Sequence, residues 1–269
     1  IGEAERTKLR GHKMGFIFQQ YHLLPVLTAI ENVELPLLLM GVPHKEARQS
    51  ALDTLKLMGL KSRANHRPSE LSGGQQQRLA IARAMAQQAQ VLVLDEPLVN
   101  LDYKLRETLV LELQSLLQQS GTTVIYTSTD PKDAFALGDE VVLLDEHTKL
   151  QSGTPLEVYR HPQSFVAADL MSDPGVNPFT TKATMVAAAR QAAVRPEHVY
   201  LASSPPAGEV SEFQMQVLGL ETSGDETFIH GAVETKRWVV RCPGMVQVSA
   251  GQTLPVIVRN DDIMRFGVI

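Results

Sequence analysis

The chain has 269 residues, 43% hydrophobic and 20% charged, with a formal net charge of −5. That length accommodates two domains or one large one, and the acidic balance gives no reason to expect nucleic acid as a partner. Cys242 is the only cysteine, which excludes an internal disulfide and fits a reducing cytoplasm, and no apolar run reaches the ~18 residues that a spanning helix needs. The sequence opens on Ile1 rather than methionine and shows no secretory signal, so a piece of something longer is expected.

Residues 1–15 are polar and basic and read as a solvated helix or frayed end. Met14 to Phe18 reads as a short buried strand ending at Gln19. Thr28 caps the next helix, with Glu31 as its capping-box partner. Between Pro43 and Leu60, Ala47, Ala51, Leu55 and Met58 recur at helical spacing, and Gly59 is the stop. Leu71-Ser72-Gly73-Gly74-Gln75 opens an amphipathic helix with Leu79, Ala82 and Ala86 inward, Met85 beside them, and Gln76, Arg78, Arg83 and Gln87 outward. Val91 to Leu94 is Val and Leu throughout, as in a parallel strand covered on both faces, and it runs into Asp95-Glu96-Pro97. From Lys104 to Ser120 a leucine stripe (Leu105, Leu109, Leu113, Leu116, Leu117) reads as a helix ended by Gly121, before a β-rich run over 122–127.

Two of these features carry chemistry. A serine and two glycines at a helix start present free N–H groups and the positive end of the helix dipole, where a phosphate can sit. Two carboxylates at the end of an apolar strand suit a magnesium-bound nucleotide, one for the metal shell and one for water.

The LSGGQ signature, the Walker B strand with Asp95-Glu96, and the D-loop Asn100-Leu101-Asp102, in that order, resemble the nucleotide-binding domain of an ABC transporter. The resemblance implies an α/β fold of the P-loop NTPase class with a helical subdomain at about 27–90. It implies ATP and Mg as ligands, with Asp95 and Gln19 toward the metal and Glu96 as general base, Gln19 also touching the attacking water. Ser72, Gly73, Gly74, Gln75 and Asp102 are then expected to act in trans, on ATP held by a second ATPase subunit, in a homo- or heterodimer. The helical subdomain is expected to face transmembrane permease subunits, with the apolar run Val33 to Met40 as one contact or as core. That places the protein peripherally, on the cytoplasmic face of the inner membrane.

Where the family carries a switch histidine, this chain has Thr129, within Thr127-Ser128-Thr129-Asp130-Pro131. Threonine donates a hydrogen bond but cannot carry charge or share a proton as imidazole does. Thr129 and Met171-Ser172-Asp173-Pro174 resemble ATPases of glycerol and related carbohydrate importers. QSGTPLEVYRHP, over 151–162, is similar to the end of an importer nucleotide-binding domain. A linker is expected at 172–181. After it, short β runs (192–194, 214–218, 227–230, 238–241, 253–258) and Val194-Arg195-Pro196-Glu197-His198 resemble a TOBE module, a small all-β OB-like domain over 182–269. Few aromatics argue against single-stranded nucleic acid there, and His198 and His230 are a weak metal signal.

The 269 residues contain no G-x-x-x-x-G-K-S/T, whose amides and lysine hold phosphates. The expectation is therefore a truncated P-loop NTPase over 1–171, with unusual exposure of the strands ending at Gln19 and starting at Val91, and with little ATP binding alone. Residues 1–70 look more like lipoprotein-release and macrolide-export ATPases. Two other readings compete: a degenerate, non-hydrolysing partner that completes another subunit's ATP site in trans, and a chromosome-maintenance ATPase, which the lack of a heptad stretch opposes.

Overall fold

The computed structural model describes residues 2–99, 106, 107, 109–111, 113–115, 121–146, 148–179 and 189–267. The chain folds as two compact units, Ile1–Thr129 and Asp130–Ile269.

The first unit contains α1 (Glu3–Lys13), β1 (Met14–Ile17), α2 (Ala29–Leu39), α3 (His44–Leu57), α4 (Gly73–Ala86), β2 (Val91–Asp95) and β3 (Thr123–Thr127). The described part of α1 is solvated, as its polar composition dictates. The three strands pair in parallel in the order β1-β2-β3, with Met14 opposite Val91 and Leu94 opposite Tyr126. Thr28 closes the expected capping box on α2: the Glu31 N–H donates to its hydroxyl at 3.4 Å, and Glu31 Oε2 accepts from the Thr28 N–H at 2.7 Å. Gly59 adopts φ +67 just past α3, a conformation that spares glycine the Cβ clash and stops the helix. Ala29, Ile30, Val33, Ala47, Ala51, Leu55, Leu79 and Ala80 are buried where α2, α3 and α4 meet, each large side chain contributing about 1.5–3 kcal/mol.

Two expectations change here, the two faces of α4 and the double covering of β2, the second in favour of the unusual exposure also expected of the strand starting at Val91. The helix α4 is not two-faced: Leu79, Ala80, Ile81, Ala82, Ala84 and Ala86 are all buried, because α2 and α3 pack on it from one side and β1 from the other. Its close approach to β1 is set by Gly15, where a Cβ would lie 2.6 Å from Leu92 Cδ2 and 3.2 Å from the Ala84 carbonyl. The strand β2 is not covered on both faces: Leu92 and Leu94 are buried but Val91 and Val93 only half so. Beside them Ile125 of β3 is 52% exposed, so one face of this sheet is open to water among the described residues. Of the leucine stripe over 104–120, Leu109 and Leu113 are buried, whereas Leu105, Leu116 and Leu117 lie outside the described residues.

The second unit begins with α5 (Pro131–Leu137), capped by Asp130, and the hairpin β4 (Val141–Asp145) with β5 (Thr148–Gly153). Next come α6 (Pro155–Arg160), capped by Thr154, and α7 (Phe165–Leu170), capped by Ser164. The remainder is β6 (Asn177–Phe179), β7 (Ala189–Val194), β8 (Val199–Leu201), β9 (Val210–Thr222), β10 (Glu226–Val233), β11 (Lys236–Pro243), β12 (Thr253–Arg259) and β13 (Met264–Gly267). These form a five-stranded sheet in the order β11-β10-β9-β12-β8 and a three-stranded sheet β13-β7-β6, antiparallel throughout. Trp238, Met215, Val217, Ile229, Val240, Val256 and Val258 alternate inward and make one core.

All five expected β runs fall inside strands, most of them longer than the runs. The stretch read as a linker, 172–181, carries the edge strand β6. Asn177 explains why it is ordered: buried, it donates to the Val239 carbonyl and accepts from the Val239 N–H, both at 2.7 Å. Trp238 Nε1 adds a bond to the Pro178 carbonyl at 2.9 Å, so β6 ties the small sheet to β11.

Candidate functional site

The candidate site lies at the carboxyl end of the parallel sheet, where β1 is followed by Gln19, β2 runs into Asp95-Glu96, and β3 ends at Thr127. Ligands of open parallel sheets sit at this end of the strands. Gln19 Nε2 donates to Glu96 Oε2 at 3.1 Å. The Thr127 hydroxyl donates to Asp95 Oδ1 at 2.9 Å and accepts from the Glu96 N–H at 3.1 Å. Gln19, Asp95 and Glu96 are thus brought together as the sequence implied, and Thr127 joins them unannounced. Glu96 holds φ +43, a left-handed conformation unusual for a residue with a Cβ.

The loop after Gln19 is fixed by the signature helix. Tyr21 and His22 both have positive φ, and their carbonyls accept from Arg83 Nη2 at 2.7 Å and Nη1 at 2.6 Å. Arg83 was expected to point outward; instead it reaches back over this loop, and burial pushes its guanidinium below the usual arginine range. Asn32, buried on α2, pins the loop's exit: its side chain accepts from the Leu24 N–H at 2.8 Å and donates to the Leu24, Leu27 and Thr28 carbonyls.

The signature stretch forms an N-terminus of the expected kind. Ser72 caps α4: its hydroxyl accepts from the Gln75 N–H at 3.4 Å, while Gln75 Oε1 accepts from the Ser72 N–H at 3.0 Å. Ser72 and Gly73 are exposed, Gly74 is buried, and a Cβ on Gly73 would meet no described atom within 4 Å. One turn on, Gln77 is fully buried and its Nε2 donates to the Pro97 carbonyl at 2.6 Å. It lies on the side of α4 opposite Leu79, Ala82 and Ala86, so helical spacing gave no signal for it.

Thr129 is exposed at the end of the first unit, and no bond to Gln19, Asp95 or Glu96 accompanies it. Asp102, with Asn100 and Leu101, lies outside the described residues. Among the described residues no group of three or more His, Cys, Asp or Glu side chains converges as a metal cluster. Asp95 and the Gln19 amide oxygen are hard oxygen donors, a set that fits magnesium shared with a nucleotide rather than a closed protein cage.

In the second unit the motifs around Tyr159, Ser172 and Arg195 also meet. Arg195 is buried with its guanidinium 3.6 Å from the centre of the Tyr159 ring, and it donates to the Tyr159 carbonyl at 2.7 Å and to the Ser172 hydroxyl. The Tyr159 hydroxyl donates to Glu197. Burial, then the bond to Glu197, push the Tyr159 phenol up to about 12.

The family model described as ABC transporter matches residues 2–99. An Fe(3+) ions import ATP-binding protein FbpC of Rhizobium etli is 42% identical over 180 residues, covering 66% of this chain and 51% of that protein. A spermidine/putrescine import ATP-binding protein PotA of Thermotoga maritima is 43% identical over 160 residues, covering 60% of this chain and 44% of that protein. The chain therefore spans about half the length of the curated relatives it matches. Among solved structures, the dimeric ATP-binding cassette MJ0796 in a post-hydrolysis state bound to ADP and Pi is similar at 39% identity and a TM-score of 0.51, over 58% of this chain and 68% of that one. With that identity and coverage, and the matching family model over the signature and Walker B stretch, the chain belongs to the ABC transporter ATP-binding family.

Proposed function

We propose that the protein is an ATP-binding, ATP-hydrolysing subunit of an ABC importer, working with transmembrane permease subunits and a second ATPase subunit at the cytoplasmic face of the inner membrane. The observation that carries the reading is the Gln19–Glu96 bond beside Asp95 at the end of a parallel strand. The names of the import relatives and the dimeric form of the solved neighbours support the partners. No helix of the described residues is long and apolar enough to cross a membrane.

In this reading Glu96 takes the proton of the attacking water at its carboxylate, which Gln19 Nε2 orients. Asp95 and the Gln19 amide oxygen hold magnesium, which when bound neutralises charge on the phosphate oxygens. Ser72 to Gln75, with Asp102, serve a partner's nucleotide through the exposed start of α4. Thr129 donates one neutral hydrogen bond where an imidazole would share a proton. Residues 1–171 form the ATPase domain, and the two antiparallel sheets around Trp238, which take in β6 as well as the strands after 182, support the TOBE-like domain that follows.

For the solute, Thr129 and Met171 to Pro174 favour glycerol or a carbohydrate, whereas the relatives are named for ferric iron and polyamine import. The shared element, import of a small solute, is the class proposed. A polypeptide of these 269 residues alone binds ATP weakly, because they include no phosphate-loop lysine; micromolar affinity for a fluorescent ATP analogue overturns that. The reading as a whole is tested by ATP hydrolysis of the assembled transporter with wild-type or Glu96→Gln chains, each supplied with a phosphate-binding loop. Retained nucleotide binding with lost hydrolysis supports it, and equal hydrolysis overturns it.

A further inference from the structure

We propose that Gln77 and Thr127 are positioning residues that clamp the Glu96 turn from two sides, one bolting it to the signature helix and the other to the end of β3. The inference rests on the reading of Glu96 as the base.

The two backbone groups that bracket Glu96 are both taken by side chains from elsewhere. Its own N–H goes to the Thr127 hydroxyl at 3.1 Å, and the next carbonyl, that of Pro97, takes the Gln77 amide at 2.6 Å. A left-handed residue with a Cβ costs of order 1–3 kcal/mol and persists only where its surroundings over-determine it. Glu96, at φ +43, is such a residue. Within the turn itself the Val99 N–H reaches the Glu96 carbonyl only at 3.4 Å, a weak closure. The two side chains supply what the turn lacks.

Gln77 carries a second mark of purpose. It is 0% exposed, and while its Nε2 is used, its Oε1 finds no hydrogen-bond partner among the described residues. A buried polar atom left unmet is a net cost, which an apolar side chain of the same length would avoid. Glutamine at this position is therefore poorly chosen for stability and well chosen for reaching Pro97. Because Gln77 stands one turn beyond Gly73 on α4, the clamp ties the end that faces a partner's nucleotide to the turn that carries this chain's own base. Thr127 also donates to Asp95 Oδ1 at 2.9 Å, so one hydroxyl holds the carboxylate of Asp95 and the main chain of Glu96.

The test is amide exchange at Glu96, Leu98 and Val99 by NMR, together with urea unfolding, in Gln77→Met, Thr127→Val and Thr127→Ser chains. Thr127→Val is expected to speed exchange at Glu96 by about tenfold, and Thr127→Ser to restore it. Gln77→Met is expected to speed exchange at Leu98 and Val99 while leaving the urea midpoint unchanged or raised. In the assembled transporter both Gln77→Met and Thr127→Val are expected to lower kcat by about tenfold at unchanged KM for ATP. Unchanged exchange at Glu96 in Thr127→Val overturns the clamp. So does a Gln77→Met chain that loses stability without faster exchange in the turn, which is the signature of plain packing. Exchange needs no nucleotide, so it separates this failure from that of the underlying reading, which Glu96→Gln with wild-type hydrolysis would show.

Discussion

Gln19 and Glu96 are 77 positions apart, and the side-chain amide of the first donates to the carboxylate of the second at 3.1 Å. Parallel pairing of β1 with β2, Ile17 opposite Leu94, delivers both residues to the same end of the sheet. An amide that donates to a carboxylate fixes its direction, which a general base needs to meet the water it activates. Glu96→Gln should lower kcat of the assembled transporter by about 10²–10⁴-fold with nucleotide binding retained. Gln19→Ala, which frees the carboxylate without removing it, should cost less. Steady-state ATPase assays of both variants check the order.

Ser72→Ala should separate two roles of one hydroxyl. As N-cap of α4 it is worth ~1 kcal/mol of stability, read from the urea midpoint. Ser72→Asp keeps a capping oxygen and should recover that stability, yet put a negative charge where a partner's phosphate is proposed to sit. A stable Ser72→Asp chain that still supports a partner's hydrolysis at the wild-type rate would remove the trans role.

Gly15→Ala should destabilise the first unit by about 1–3 kcal/mol, since the new methyl meets Leu92 Cδ2 and the Ala84 carbonyl. Leu92 can yield a little; a backbone carbonyl on α4 cannot. Gly15→Val should be worse, and urea denaturation followed by far-UV circular dichroism measures both.

Tyr159 gives a prediction with a definite pH window. Its folded pKa, about 12, stands above the ordinary 10.0, through burial and Glu197, with Arg195 and Arg241 pulling the other way. The unfolded chain therefore loses this proton first as pH rises. The stabilisation is fully present below pH ~10 and is lost as pH climbs through about 12. Tyr159→Phe should be less stable than wild type near neutrality and converge with it over that interval. Urea midpoints of the two chains across alkaline pH measure the difference, which cancels other groups that titrate there.

Asn177→Ala should leave the Val239 N–H and carbonyl without partners and cost about 1–3 kcal/mol per buried group. Because β6 is held to β11 through that side chain and Pro178, exchange at Val239 should rise as well. Asn177→Asp keeps the acceptor and loses the donor, and should fall between the two.

Much of this was legible because local signals are strong where they act over a few residues. The capping box at Thr28, the helix start at Ser72, the stop at Gly59 and the helical spacing of Ala47, Ala51 and Leu55 all depend on neighbours within one or two turns. The β runs of the second unit were found by their alternation, but most too short, since polar residues such as Ser211, Glu212 and Lys236 continue the strands. The strand β6 was hidden by Pro178, which reads as a breaker yet is tolerated at the edge of a sheet. The outward placing of Arg83 failed because a helix packed on two sides has no simple polar face.

By itself, then, the sequence determined the elements, the caps and the order of the phosphate- and metal-suited motifs, all set by spacing along one chain. Only the tertiary structure decided which distant polar groups meet. Spacing cannot say that Gln77 reaches Pro97, that Thr127 sits between Asp95 and Glu96, or that Arg83 holds Tyr21 and His22. Those partners are chosen by burial, which leaves a polar group no water to bond and so makes the nearest complementary group from another element decisive.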